Sequence, residues 1–227
     1  MSQMIPILAL LLLLSGPAAT AQTGDAVRYV ATYIDVQSGS TDQGIALIRQ
    51  YRETSRVERG NSTVDVLQEI ARPNRFVIVE VWKDQSSFET HERAEQTVQF
   101  RAKLKVIDNS PLDQRVHHAF AMDSRSVAME AGFVSVVTHV DVPPQRKDET
   151  EVMLTGLAQY SRKDEGNVRY EVFQQTASRN HFTVFAIWKN RKAFDSYEMK
   201  THTRQFREAL APMLGAPYDE RLYSPLI

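Results

Sequence analysis

Apolar and polar residues alternate strictly at the start of the chain's first patterned segment. Val30, Thr32, Ile34 and Val36 fall on one side, and Tyr29, Ala31 and Tyr33 on the other. A period of two predicts a strand with two different faces. The pattern returns at Val134, Val136, Thr138, Val140 and Val142, with Val137 and His139 opposite. Each strand is followed by a break, at Gly39 or at Pro143-Pro144, and then by Asp42 or Asp148 opening a helix. These helices carry Leu47, Ile48 and Tyr51, or Met153, Leu154 and Leu157. "GNSTVDVLQEI" and "GNVRYEVFQQT" begin as turns and continue as a second strand. "RPNRFVIVEVW" and "SRNHFTVFAIW" are a turn and a third strand, close enough to the second to form a hairpin. A helical stretch and a last strand, in "PLDQRVHHAF" or "PYDERLYSPL", complete each series.

The two series are one series repeated. Trp82 recurs as Trp188, 188 − 82 = 106 residues on. The same offset pairs Asp35 with Asp141, Gly60 with Gly166, Gln68 with Gln174, Phe88 with Phe194 and Arg115 with Arg221. A repeat this long is a duplicated domain rather than a solenoid unit. The units run over 28–120 and 133–226, with 121–132 as a linker of no strong pattern. Each reads β-α-β-β-α-β, so the fold class is α+β, built of tandem ferredoxin-like units. Helices cover one face of such a sheet. The other, holding Tyr29, Ala31, Tyr33, Val137 and His139, needs a second sheet against it. The duplication predicts a pseudo-dimer within the chain, with a homodimer of the whole chain as the alternative.

Composition changes this picture little. The chain is 42% hydrophobic and 24% charged with a formal net charge of −1, which gives no field toward nucleic acid or an anionic membrane. It has no cysteine, which excludes disulfides, thiolate metal sites and a cysteine nucleophile. The first 21 residues read as a signal peptide. An apolar run from Ile5 to Leu14 is followed by Ser-Gly-Pro and then by Ala19-Thr20-Ala21, a small-x-small cleavage pattern. Export to the periplasm or medium, with no stable membrane contact after cleavage near Ala21, is the expectation.

Candidate chemistry gathers on the face that the helices cover. By alternation Glu80 and Trp82 point there with Phe76 and Ile78. His91 lies one helical turn beyond Phe88, on the inward side. A buried carboxylate needs a partner. For Glu80 that is His91, whose tautomer it would fix, or else Arg101 or Lys83. Trp82 and Trp188 are core anchors or flat walls for an aromatic ring. Thr32 and Thr138 interrupt an apolar stripe at matching places and could hold a substrate oxygen. Thr97 and Thr203 are expected to cap a second short helix, and Arg101 and Arg207 to form ion pairs. The rings of His117 and His118, on one strand, point to opposite faces and make no chelating pair.

The string Glu80-Val81-Trp82 followed by Phe88 and His91, in a unit of about 100 residues, resembles the antibiotic biosynthesis monooxygenase family. That resemblance implies a dimeric α+β barrel, a pocket between sheet and helices, and oxidation of a small aromatic quinol or phenol by O2 without metal or flavin. It makes His91 and Glu80 the catalytic pair, with Trp82, Thr32 and Phe88 around the substrate. His91 would take a proton from the substrate while Glu80 holds its other nitrogen. The family's second histidine, five residues beyond the first, is Gln96 in the first unit. The second unit has Ala186, Tyr197 and His202 where the first has Glu80, His91 and Gln96. The first unit is therefore the better match. Trp188, Tyr197, His202 and Thr138 define an altered second site. Two rival readings remain: a haem-degrading enzyme with His91 or His202 as ligand, and a non-catalytic ligand-binding or interaction protein.

Overall fold

A computed structural model describes residues 26–125 and 127–227; the expected signal peptide lies outside the described residues. The first unit comprises β1 (Arg28–Asp35), α1 (Thr41–Ser55), β2 (Asn61–Glu69), β3 (Arg75–Trp82), α2 (Gln85–Arg93), α3 (Glu95–Ile107) and β4 (Asp113–Ala121). The second follows with β5 (Val134–Asp141), α4 (Lys147–Ser161), β6 (Asn167–Gln175), β7 (His181–Trp188), α5 (Arg191–Glu198), α6 (Thr201–Leu210) and β8 (Asp219–Pro225). Every strand of the second unit starts 106 residues after its counterpart, as the sequence offset requires.

The eight strands close into one antiparallel barrel in the order β1-β3-β2-β8-β5-β7-β6-β4. Within each unit the last strand pairs with the first, Tyr29 opposite His117 and Ser135 opposite Tyr223. The units then join through those last strands, β4 on β6 and β8 on β2. Closure leaves no sheet edge unpaired. The bare faces thus meet inside one chain: Ala31, Leu67, Val77, Val79, Val137, Phe173, Phe185, Ile187 and Tyr223 form the barrel's interior. On the outside, Ile34, Ile48, Tyr51, Phe76, Ile78, Phe100 and Leu104 bury the first unit's helices, and Val140, Leu154, Phe182, Val184, Phe206 and Leu210 the second's.

The segment after β4 is fastened more firmly than its composition indicated. Asp123 takes the guanidinium of Arg125 and the backbone N–H of Tyr170 (3.1 Å), and its carboxyl is held down at about 2, against the cost of burial, by these hydrogen bonds.

Gly60 and Gly166 sit at the same turn into β2 and β6, at φ +91° and +81°. Their carbonyls accept from Lys83 and Lys189 (2.9 Å each), which ties the turn to the end of β3 or β7. A side chain there would be strained and would meet Ser87 or Ala193. Gly60→Ala is expected to cost about 1–3 kcal/mol, measured as a lower urea midpoint. An unchanged midpoint would contradict this backbone geometry.

Candidate active site between helix and sheet

The first unit's outer layer holds a continuous polar chain. Tyr51 comes from α1, Glu58 from the turn after it, Glu80 from β3, and His91 from α2. Tyr51 Oη lies 3.1 and 3.2 Å from the two carboxylate oxygens of Glu80 and 2.7 Å from His91 Nε2. His91 Nδ1 is 3.0 Å from Glu58 Oε1, which also accepts from Gln96 Nε2 at 3.1 Å. Trp82 closes the floor, its ring stacked on the imidazole with centroids 4.4 Å apart. Phe88 and Val30 pack against Trp82. His91, Glu80 and Trp82 are all 0% exposed.

This corrects the expected pairing. Glu80 does not hydrogen-bond the imidazole; its Oε1 stands 3.6 Å from His91 Nε2 as an ion-pair contact, and the Tyr51 hydroxyl bonds to both. Glu58 is the residue that fixes the tautomer. Being an acceptor, an ionised carboxylate at Nδ1 makes that nitrogen the donor. Neither alternative partner serves Glu80 either, since Arg101 binds Glu92 (2.6 Å) and Lys83 lies beside Asp84. Thr97 is no cap: α3 starts at Glu95, and Thr97 is buried in its first turn, 3.4 Å from His91 Nδ1.

One hydroxyl proton cannot serve both neighbours of Tyr51. If Glu80 is ionised, Tyr51 donates to it and His91 must be doubly protonated. If Glu80 is protonated, it donates to Tyr51, and Tyr51 donates to a neutral His91. Burial favours the second state from both ends. It pushes the Glu80 carboxyl up to about 8, and it lowers the imidazole of His91 despite the opposing pull of Glu58. The two states differ by one proton moved along Glu80–Tyr51–His91.

In the second unit the same places are rebuilt. Leu157 replaces Tyr51 and Ala186 replaces Glu80, so the chain is cut. Tyr197 stands at the position of His91, its ring against Trp188 with centroids 4.5 Å apart and its hydroxyl 3.2 Å from that of Tyr170. The acid persists as Asp164, and the histidine that moved still meets it: His202 Nε2 is 2.9 Å from Asp164 Oδ2, in a half-buried contact. The threonines differ too. Thr138 donates to Glu220 (3.3 Å), whereas the buried hydroxyl of Thr32 has no partner among the described residues.

Access is narrow. The seam between α1 and α3, lined by Leu47, Tyr51, Thr54, Gln96, Phe100 and Lys103 among others, holds about 40 Å3. A wider cleft of about 550 Å3 lies at the end of α3, beside Arg101, Leu104, Leu112 and Gln114. Where the first unit has Leu112, the second has Tyr218, with Arg207 over its ring at 5.4 Å.

Sequence reasoning missed Tyr51 and Glu58 as site residues. Tyr51 was legible only as an inward helix position. Glu58 had one usable signal, the acid retained as Asp164 at the same offset.

An eight-stranded barrel of two ferredoxin-like units, with a buried His–Tyr–carboxylate chain under its helices, defines a dimeric α+β barrel protein fused into one chain. It belongs to the antibiotic biosynthesis monooxygenase family, whose profile matches residues 28–103 and again 133–209. Over 81 residues it is 28% identical to a Bacillus subtilis protein named "Putative monooxygenase YcnE", covering 36% of this chain and 85% of that one. A Fusobacterium nucleatum structure described as a putative monooxygenase superposes with a TM-score of 0.79 at 14% identity, over 89% of this chain and 93% of the other. An anthrone oxidase-like protein gives 0.71 at 11% identity, over 88% and 91%. At these identities the structures show the shared fold, and their coverage shows that both units are matched within a single chain.

Proposed function

We propose that the protein is an exported, cofactor-independent monooxygenase that oxidises a small aromatic quinol or phenol with O2, and that the first unit does the work. The observation that carries this reading is the intact Glu80–Tyr51–His91–Glu58 chain in one unit and its loss in the other. The unpartnered hydroxyl of Thr32, whose counterpart Thr138 is bonded to Glu220, supports it, as does the open cleft at the end of α3. So does family membership.

The geometry changes the mechanism expected from sequence. His91 is fully buried behind Tyr51, so Tyr51 meets the substrate. As the substrate hydroxyl gives its proton to Tyr51 Oη, the tyrosine's own proton passes to His91 Nε2, and Glu58 stabilises the imidazolium. The electron-rich phenolate then reduces O2. For a quinol, one oxygen atom enters the ring, the other leaves as water, and the quinol supplies the two electrons, giving a hydroxyquinone. The packing of Trp82 and Phe88 keeps water from the intermediate. Since 40 Å3 admits a water-sized molecule only, α1 and α3 must part for the ring to enter.

Oxygen uptake with a hydroquinone panel tests this. Tyr51→Phe is expected to lower the rate at least tenfold, on the order of a lost general-acid–base contribution; an unchanged rate would remove Tyr51 from the path. The export half is checked by sequencing the mature N-terminus, expected at Gln22.

The complete burial of His91 and Glu80 favours one second reading, a non-catalytic ligand-binding protein. Hydroquinone would then raise the melting temperature without any oxygen consumption. The haem reading fits less well, because both nitrogens of His91 are engaged and His202 binds Asp164 through Nε2.

A further inference from the structure

The barrel's interior holds a second polar chain, remote from the helix layers. His117 on β4 and His139 on β5 meet at Thr183 on β7. His117 Nε2 is 3.0 Å from Thr183 Oγ1, and His139 Nδ1 is 3.3 Å from the same oxygen. His117 Nδ1 lies 3.3 Å from the carbonyl oxygen of Tyr29. A carbonyl only accepts, so Nδ1 of His117 carries its proton and Nε2 is bare. Thr183 must then donate to His117 and accept from His139 Nδ1. The proton of His139 is thereby assigned to Nδ1, and its Nε2 is left as a lone pair. Burial keeps both rings neutral, His117 at about 4 and His139 at about 3, with Arg115 opposing a charge on either.

His139 is 7% exposed. Its Nε2 has no hydrogen-bond partner among the described residues. The residue borders a cleft of about 380 Å3 at the barrel mouth, lined also by Arg115, Asp141, Pro217, Tyr218 and Asp219. Asp141 is the second unmatched group there. It makes no side-chain hydrogen bond among the described residues, and His181 stands off at 3.7 Å.

The first unit shows what changed. Tyr33 occupies the place of His139. Asp35 occupies that of Asp141, where it accepts from Asn74 Nδ2 and Arg75 Nε, both at 2.9 Å. In the second unit Arg75 has become His181, and Asn180 keeps the bond to Val142 that Asn74 makes to Val36 but makes none to Asp141. The changes from Tyr33 to His139 and from Arg75 to His181 leave His139 and Asp141 as acceptor residues lining one cleft.

The charges around it select the ligand. Arg115 is paired with Asp113 (2.8 Å) and Arg221 with Asp219 (2.6 Å), so neither is a free anion site. Asp141 repels an anion. Burial first, and then Arg115 and Arg221, keep His139 neutral, so its bare Nε2 accepts from a hydroxyl. A hydroxyl donor fits this pair of acceptors, with Pro217 and Tyr218 as its apolar wall. We propose that this barrel mouth binds a small uncharged dihydroxyarene, one hydroxyl donating to His139 Nε2 and the other to the Asp141 carboxylate. The two residues are i, i+2 on one strand, about 6.6 Å apart, which suits hydroxyls placed 1,3 or 1,4 on a ring.

The test titrates the mature chain with resorcinol while following the imidazole nitrogens of His139 by NMR. Nε2 is expected to show the unprotonated shift at pH 7 and to move on saturation. His139→Phe should weaken resorcinol at least tenfold and Asp141→Asn several-fold. Benzoate should bind more weakly than resorcinol. A protonated Nε2 in the free protein, equal affinity in Asp141→Asn, or tighter binding of benzoate would overturn the proposal. These readouts stand even if His139→Phe does not fold. A His139 Nε2 that does not move at saturating resorcinol would overturn it equally.

Discussion

Trp82→Ala is expected to destabilise the protein by about 3–5 kcal/mol, the range for emptying a large aromatic site in a packed core. Trp82 is fully buried between the sheet and α2. It touches Val30 and Phe88 on one side and stacks on His91 on the other. The interior is close-packed, so the hole cannot refill without moving α2. The urea midpoint should fall with little change in slope. Oxygen uptake should fall as well, because the imidazole loses the plate that holds its plane. Trp82→Phe keeps a ring and should retain most of the stability. A loss below about 1 kcal/mol in Trp82→Ala, well under the range for such sites, would mean that the layer is not packed as described.

Glu80→Gln is expected to make the protein more stable above pH 8 and to change the shape of its pH dependence. The folded Glu80 carboxyl titrates at about 8 rather than 4.5, so between these values the folded state holds a proton that the unfolded chain has lost. His91 works the other way, being neutral when folded and protonated when unfolded below about 6.5. Below 6.5 the two effects oppose each other. From 6.5 to 8 only the Glu80 proton remains, and stability falls by about 1.4 kcal/mol per pH unit, on the order of 2 kcal/mol in all. Glutamine mimics the protonated carboxyl and does not titrate. The variant should therefore gain stability up to pH 6.5 and then level off, while the wild type declines to pH 8. Parallel curves from 6.5 to 8 would show that Glu80 is ionised in the folded protein, and the neutral state of the chain would be wrong.

The fold was readable because it rests on local periodicities and an exact repeat. Alternation at Val30 to Val36 assigned the two faces of β1, and the offset between Trp82 and Trp188 carried every element into the second unit. The unclothed face of each sheet forced a sheet-on-sheet partner. Its location within the same chain followed from β4 pairing with β6 and β8 with β2. The site was readable to the level of a shared face. Alternation put Glu80 and Trp82 under the helices, and helical spacing turned His91 toward them.

What periodicity cannot give is which of several groups on a shared face come within 3 Å. Tyr51 and Glu58 lie 40 and 33 residues from His91, on a helix and a turn whose distance from α2 is set by packing. Direct pairing of Glu80 with His91 was the simplest solution for two groups in sequence. The fold brings the Tyr51 hydroxyl against both, and that hydroxyl completes a hydrogen-bonded path for a proton. The moved histidine has the same explanation. Asp164 keeps the place of Glu58, and His202 reaches it from one helix further on because Tyr197 has taken the inner position. By itself the sequence determined a duplicated ferredoxin-like unit, its faces and its altered residues, since these follow from repeat and period. The tertiary structure decided the partners of His91, the closure of the seam over it and the acceptors at the barrel mouth, because these depend on distances between elements far apart along the chain.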